Sequence, residues 1–505
     1  MCPLTEDKVT VLGRFLSVSA RGWKNRTHTA ARRPRPGAGF GVLCCNKDIS
    51  TSSDPLGSLW TRGKSPGWEV VTGKRPGLES PCPCCRKRPH GLGHKSSVSG
   101  PPCAAAWGPA INPVGSRLQW GGVLSEDCIM NTLSEANGAF AIRLLKLLGQ
   151  NDPERNVFYS PLSVSSALAM VLLGAKGSTA AQIVQALALN TEDGIHQGFQ
   201  SLLTQVHRPG APFSLSIANG LFGEKSCKFL SSFQESCLQF YQAKVKQLPF
   251  AKAPERSRKH INAWVSKKTE GKIHKLLEKN SIEADCRLVL INAVYFKGRW
   301  DKQFRESLTR TMPFKISQKE QRPVQMMVQS GTFPLAHVSE VQARVLELPY
   351  EGQELSMVVV LPDEGVDLST VEKSLTFEKF QSWTSPEHMK RTEVEVFLPR
   401  FKLQEDYHMD SMLQGLGVVD AFHWDKADLS GMLADRDLCV SNFTHRSVVE
   451  VNEEGTEAVA VTCTVLVIGC CEVSVPLFCA DHPFLFFIRH NSTNSLLFCG
   501  RFSSP

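Results

Sequence analysis

Four groups of residues in the chain have types that could do chemistry. Gly57 to Ser65, GSLWTRGKS, offers the lysine and serine of a phosphate-cradling loop. Five residues separate its glycines where such a loop needs four, and no apolar strand leads into it, so it reads as a plain loop. Cys82, Cys84, Cys85, His90 and His94 are zinc-ligand types, but C-x-C-C crowds the thiols closer than the usual C-x₂₋₄-C pair. The basic clusters Arg32 to Arg35 and Arg86 to Arg88 could meet a nucleic acid, but read rather as a solvated, disordered face. The fourth group is Glu453 to Cys471, EEGTEAVAVTCTVLVIGCC. It holds no acid–base pair, and its chemistry would be that of its peptide bonds and of its paired cysteines. Cys470 and Cys471 are expected to be free thiols, because neighbours seldom reach disulfide geometry, and their thiolates would be open to oxidation. Neither a G-x-S-x-G elbow nor an H-E-x-x-H helix occurs, so catalysis has no candidate machinery and no cofactor is expected.

The run after Glu457 is β-branched, uncharged and free of proline, a composition that pairs with any open sheet edge and threatens aggregation. What surrounds it is an uneven chain of 505 residues. Residues 1–129 carry 18 Lys+Arg against 8 Asp+Glu, whereas 130–505 carry 39 against 41, so the basic surplus belongs to the front. Five of the nine tryptophans also lie there, while all five tyrosines lie behind. The front shows no sustained period of 2 or 3.6 and is expected to be a disordered, basic, Gly/Pro/Cys-rich extension. The seventeen cysteines are odd in number and lack a spaced framework, which fits a reducing setting. No stretch approaches the roughly 20 apolar residues of a membrane span. The run VTVLGRFLSV at 9–18 is broken by Arg14 and makes a poor secretory signal.

From Met130 the pattern becomes that of a globular domain. Phe140, Leu144, Leu147 and Leu148 form one apolar stripe, predicting a helix that ends near Gly149. A buried helix is expected over 163–174, and a third over 256–277, where Ile261, Trp264, Val265, Ile273 and Leu276 share a face. Strands are expected over 288–296, 354–362, 393–401 and 483–490, each short, β-branched or aromatic, and bounded by turn residues. Helices first and strands later, without βαβ alternation, predict an α+β fold.

Four separated stretches carry a family resemblance: NVFYSPLSVSSALAMVLLGAKGST (156–179), LINAVYFKGRW (290–300), EEGTEA (453–458) and FCADHPFLFFIRH (478–490). In order and spacing the chain from 130 to 505 resembles a whole serpin, within the ovalbumin-related intracellular branch (clade B), and there its granzyme B-inhibiting member. The resemblance implies helices packed on three β-sheets with an exposed mobile reactive loop. It implies a serine-protease inhibitor, acting also on cysteine proteases, that is cleaved as a suicide substrate and traps the acyl-enzyme by inserting the loop into the main sheet. A monomer in cytosol or nucleus, with some release to the extracellular space, is implied too, and neither nucleic acid nor membrane is a partner. The other reading within the family is a non-inhibitory serpin that binds or chaperones.

The resemblance also assigns residues. Glu453, Glu454 and Gly455 fall at the hinge, and Thr456, Glu457, Ala458, Ala460 and Thr462 on the strand that inserts. Period-two alternation sets Thr456, Ala458, Ala460, Thr462 and Thr464 on one face, all small enough to pass beneath the sheet, with Glu457, Val459, Val461 and Cys463 on the other. A permanent edge strand is the alternative. Ser160, Ser163, Asn292 and His445 match the polar cluster beneath the opening sheet, and also fit ordinary satisfied core polar residues. Trp300 matches the aromatic at the loop's entry, and also fits ordinary core packing; Glu453 matches a hinge acid that pairs with a sheet cation, for which Arg322 is the candidate, and fits a solvated surface acid as well. Counting seventeen positions from Glu453 puts the cleaved bond between Gly469 and Cys470. An acid is usual there in the granzyme B inhibitor, so Gly469 departs from it and suits a small or apolar specificity pocket.

Overall fold

The computed structural model describes residues 126–505 except 151, 153, 190–193, 209, 434–437 and 457–474. The expectation for 1–129 lies outside them, save that the first helix already opens at Glu126. The first half of the described chain runs α1 (Glu126–Gln150), β1 (Val157–Tyr159), α2 (Pro161–Leu172), α3 (Gly177–Ala186), α4 (Ile195–Val206), β2 (Phe213–Glu224), α5 (Ser231–Tyr241), β3 (Lys246–Leu248), α6 (Pro254–Lys268) and β4 (Leu288–Arg299). The second half runs β5 (Arg310–Lys315), β6 (Gln321–Val338), β7 (Ala343–Pro349), β8 (Leu355–Pro362), α7 (Leu368–Ser374), α8 (Phe377–Trp383), β9 (Lys390–Pro399), β10 (Phe401–His408), α9 (Met409–Gly415), β11 (Val440–Val451), β12 (Gly455–Thr456), β13 (Leu477–Cys479), β14 (Phe484–His490) and β15 (Ser495–Phe502).

Helix α2 shows how local chemistry places an element. Pro161 occupies the first turn, where a missing N–H costs nothing, and the Ser160 hydroxyl caps the end by accepting the Ser163 N–H. All twelve residues are buried, so the helix runs inside the fold, against β15, β4 and β2, instead of along the surface. The third expected helix stops earlier than its apolar spacing suggested. Glu270 and Gly271 take positive φ (51° and 79°) and end it after Lys268. Ile273 and Leu276 are still buried, because the following loop folds back on the same face and Asn262 Oδ1 accepts the N–H groups of Leu276 and Leu277 at 3.1 and 2.8 Å.

The six-stranded sheet has the order β10-β11-β12-β4-β2-β3. Its middle is unusual: β4 and β11 pair in parallel from Leu288/Val440 to Tyr295/Val448, while above this seam the two-residue β12 stands between them. The remaining strands form one continuous network of nine, because the eighteen-residue β6 pairs with β9 over most of its length and with β7 at its end. By hydrogen bonding the three expected sheets are therefore two, the second and third being joined through β6.

Candidate functional site

The seam between β4 and β11 is held from below by a polar cluster. Asn292 and His445 are directly opposite in the parallel register, and both are fully buried. The Ser160 N–H donates to His445 Nε2 at 3.3 Å, so Nε2 is the acceptor. Nδ1 therefore carries the proton and donates to Asn292 Oδ1 at 2.5 Å. Burial pushes the His445 pKa down to about 3, consistent with that neutral tautomer. The Asn292 amide in turn donates to the Ser163 carbonyl and hydroxyl, at 2.9 and 2.6 Å, and to Asn219 on β2. Ser160 Oγ donates to the Leu497 carbonyl at 2.7 Å, anchoring the cluster to β15. Residues from three distant segments, Ser160 with Ser163, Asn292 and His445, thus meet under one seam, with Asn219 as a fifth that sequence motifs did not single out.

At the top of the seam the start of the long β-branched run is already seated. Gly455 pairs with Arg299, and Thr456 pairs with Gly298 on one side and Val451 on the other. Thr456 is wholly buried, and its hydroxyl lies 3.2 Å from the Tyr350 hydroxyl. Tyr350 stacks on Trp300 with ring centroids 4.7 Å apart. Trp300 binds the turn twice: its indole N–H donates to the Asn452 carbonyl and its backbone N–H to the Glu454 carbonyl, each at 2.9 Å. Gly455 has φ 149°, and a Cβ there would lie 2.1 Å from the Gly298 carbonyl oxygen, so only glycine fits.

The acids of the turn differ in their satisfaction. Glu453 accepts the Thr309 hydroxyl at 2.7 Å and faces Arg400 at 3.8 Å. The expected partner, Arg322, instead pairs with Glu320 two residues away on its own hairpin, where a short local loop outcompetes a distant acid. Glu454 is buried with one carboxylate oxygen unpartnered, a cost of order 1–3 kcal/mol that works against the seat. Tyr350, Asn452 and Thr309 carried no signal in the sequence, each lying next to charged or turn-forming residues. Glu457, Ala458, Ala460, Thr462 and the bond between Gly469 and Cys470 lie outside the described residues.

The register nevertheless says where following residues would go. Extended downward from the Thr456 pairs, it sets Thr462 opposite Asn292 on β4 and opposite His445 on β11. Both flanks agree because Asn292 and His445 already face each other. A strand could therefore continue between β4 and β11 if the two parted. Among the described residues no cluster of His, Cys, Asp or Glu is placed to hold a metal, and no helix is long and apolar enough to cross a membrane.

Comparison with known proteins agrees with this geometry. A family profile described as serpin (serine protease inhibitor) matches residues 135–505. Serpin B9 of Homo sapiens is 67% identical over 376 residues, covering 74% of this chain and 100% of that protein. The leukocyte elastase inhibitor of Equus caballus is 49% identical over 380 residues, with the same coverage of both chains. Among solved structures, uncleaved ovalbumin is similar with a TM-score of 0.69 at 36% identity, covering 74% of this chain and 100% of its own.

Proposed function

The chain belongs to the serpin family of protease inhibitors, and on that premise we propose that it traps its protease by driving the loop after Thr456 down the seam between β4 and β11. The observation that carries this reading is the seated pair Gly455–Thr456, hydrogen-bonded on both sides in a register that the next residues can continue. Each added pair supplies ladder hydrogen bonds on two edges, a net gain of about 0.5–1.5 kcal/mol per bond, set against breaking the β4–β11 pairs. The target is a serine protease, with some cysteine proteases, whose specificity pocket is small or apolar. Gly469, at the counted position, and the elastase named for relatives at 48–49% identity support this choice. We further propose a monomer working in the reducing cytosol or nucleus, with some release outside the cell, and a front segment 1–129 that is separate from the inhibitory domain. Cys227, Cys237, Cys286, Cys439, Cys479 and Cys499 are free thiols, which suits such a setting.

Purified protein incubated with a panel of serine and cysteine proteases should yield a detergent-stable covalent complex with at least one of them. Cleavage without any complex, across the panel, would instead identify a non-inhibitory serpin.

A further inference from the structure

Cys286 and Cys439 stand at the foot of the seam, each just below one of the two strands that part during insertion. Cys286 precedes β4 by two residues and Cys439 precedes β11 by one. Their chain segments are tied together at this level: Leu288 pairs with Val440, and the Arg287 N–H donates to Ser441 Oγ at 2.9 Å. Both thiols are free, and both line one cavity of about 580 Å³ with Asp285, Arg287 and Trp424. Cys286 packs with Val289 and Ile291, on the face opposite Leu288. Strand alternation turns Cys439 away from Val440, whose side chain joins Leu288 in the larger core, and so toward Cys286. The ladder shifts register between Val440 and Asn442, just above this point; a strand spacing of about 4.8 Å with an offset of one residue would give a Cα separation of roughly 6 Å, inside the disulfide range. Burial raises both thiols.

We propose that Cys286 and Cys439 form a reversible disulfide that staples β4 to β11 at the foot of the sheet and converts the inhibitor into a substrate; this rests on the insertion reading above. The oxidant is a low-molecular-weight disulfide. Cys439, the more exposed and the one whose thiolate Arg287 favours, loses its proton and attacks one sulfur of the reagent. That forms a mixed disulfide and expels one small thiolate. The Cys286 thiolate then attacks the Cys439 sulfur, closing the protein disulfide and expelling the second thiolate. Two protein thiols lose two electrons and two protons; the reagent takes the electrons, and its thiolates take the protons.

Geometry decides the consequence. With a strand between them, β4 and β11 stand two spacings apart, about 9.6 Å, whereas a disulfide limits the Cα separation to roughly 7 Å. The insertion register sets Ile468 level with Cys286, so the pinch falls on the residue just before Gly469. The loop could enter from above and pass Asn292, but its lower end could not seat. The attached protease would then stop short of the foot, and its acyl bond would hydrolyse.

The full chain, reduced with dithiothreitol or equilibrated with oxidised glutathione, is reacted with a protease it traps when reduced, and mapped by non-reducing peptide mass spectrometry. Oxidised wild type should show a Cys286–Cys439 linked peptide and a shift from covalent complex to cleaved inhibitor, reversed by dithiothreitol. Cys286→Ser and Cys439→Ser should each keep forming complex in the oxidant. A missing linked peptide overturns the proposal, as does an oxidative shift that persists in both variants and so resides at other cysteines, such as Cys463, Cys470 or Cys471. Absence of complex from the reduced wild type with every protease is a separate result that would strike the insertion reading itself, while the peptide map still reports on the thiol pair.

Discussion

Asn292 and His445 face each other across the one seam in the main sheet that has to open, and the imidazole Nδ1 donates to the amide oxygen at 2.5 Å. The bond joins the two strands through side chains as well as through the ladder. Ser160, Ser163 and Asn219 satisfy the remaining polar atoms from beneath, so the closed state is a complete network. Opening separates the pair by a strand's width. Extended past Thr456, the register would set Thr462, whose hydroxyl can both donate and accept, between them.

This arrangement makes stability depend on pH in a definite direction. His445 is held to about 3 in the fold, against about 6.5 in the unfolded chain, so the unfolded state binds the extra proton between those values. The stabilisation is whole above about pH 6.5 and is lost as pH falls toward 3, at roughly 1.4 kcal/mol per pH unit for such a group. His196, buried against Tyr241 and lowered to about 4, adds a term of the same sign. The urea midpoint of the uncleaved protein should fall between pH 7 and pH 5, and His445→Gln should flatten that slope. A slope unchanged in the variant would mean that His445 is not the group responsible.

Thr456 offers the sharpest test of the inserting face. It is wholly buried beneath Tyr350, and Thr456→Arg would bring an unpaired guanidinium into that space at a cost of several kcal/mol. The variant should be cleaved by the target protease instead of trapping it, seen on gels as cleaved inhibitor replacing the covalent complex. Val459→Ala, on the opposite face by alternation, should leave the partition unchanged. Undiminished complex from Thr456→Arg would show that the face is assigned wrongly.

Gly455→Ala and Tyr350→Phe probe the seat itself. The alanine Cβ meets the Gly298 carbonyl and the Arg299 Cα at 2.1 and 2.6 Å, so the turn must leave its place between β4 and β11. Phenylalanine keeps the stack on Trp300 and removes only the hydroxyl contact to Thr456, worth about 1 kcal/mol. Hydrogen exchange at the Trp300 and Phe304 amides, which donate to the Glu454 and Glu453 carbonyls, should rise strongly in the first variant and mildly in the second. Protection equal to wild type in Gly455→Ala would refute the seated hinge.

Residues inside contiguous motifs were legible before the structure, and residues recruited by topology were not. Ser160, Ser163 and Asn292 lie in two motifs, 156–179 and 290–300, where apolar neighbours mark their polarity as unusual, and Trp300 closes the second. Asn219 and Tyr350 reach the same clusters from β2 and from the turn after β7, and periodicity reveals a residue's face but not its partner. The choice of Arg322 over Arg400 for Glu453 failed for the same reason, since charge type alone cannot rank cations that lie 78 positions apart in sequence. The over-long third helix failed because a loop returning to the same core face mimics one more helical turn.

Specificity depends on the residue before the cleaved bond, counted as Gly469. A pocket built to pair a substrate carboxylate leaves its own buried cation unpaired when glycine enters, and such mismatches discriminate by about 10⁴-fold. The wild type should therefore associate slowly with a granzyme B-type protease and faster with one whose pocket is small or apolar. Gly469→Asp and Gly469→Glu should reverse that order while leaving the stoichiometry of trapping unchanged, because the hinge and the seam are untouched. Rapid trapping of granzyme B by the wild type, with mass spectrometry placing the cut after another residue, would displace the counted bond and leave the insertion mechanism standing.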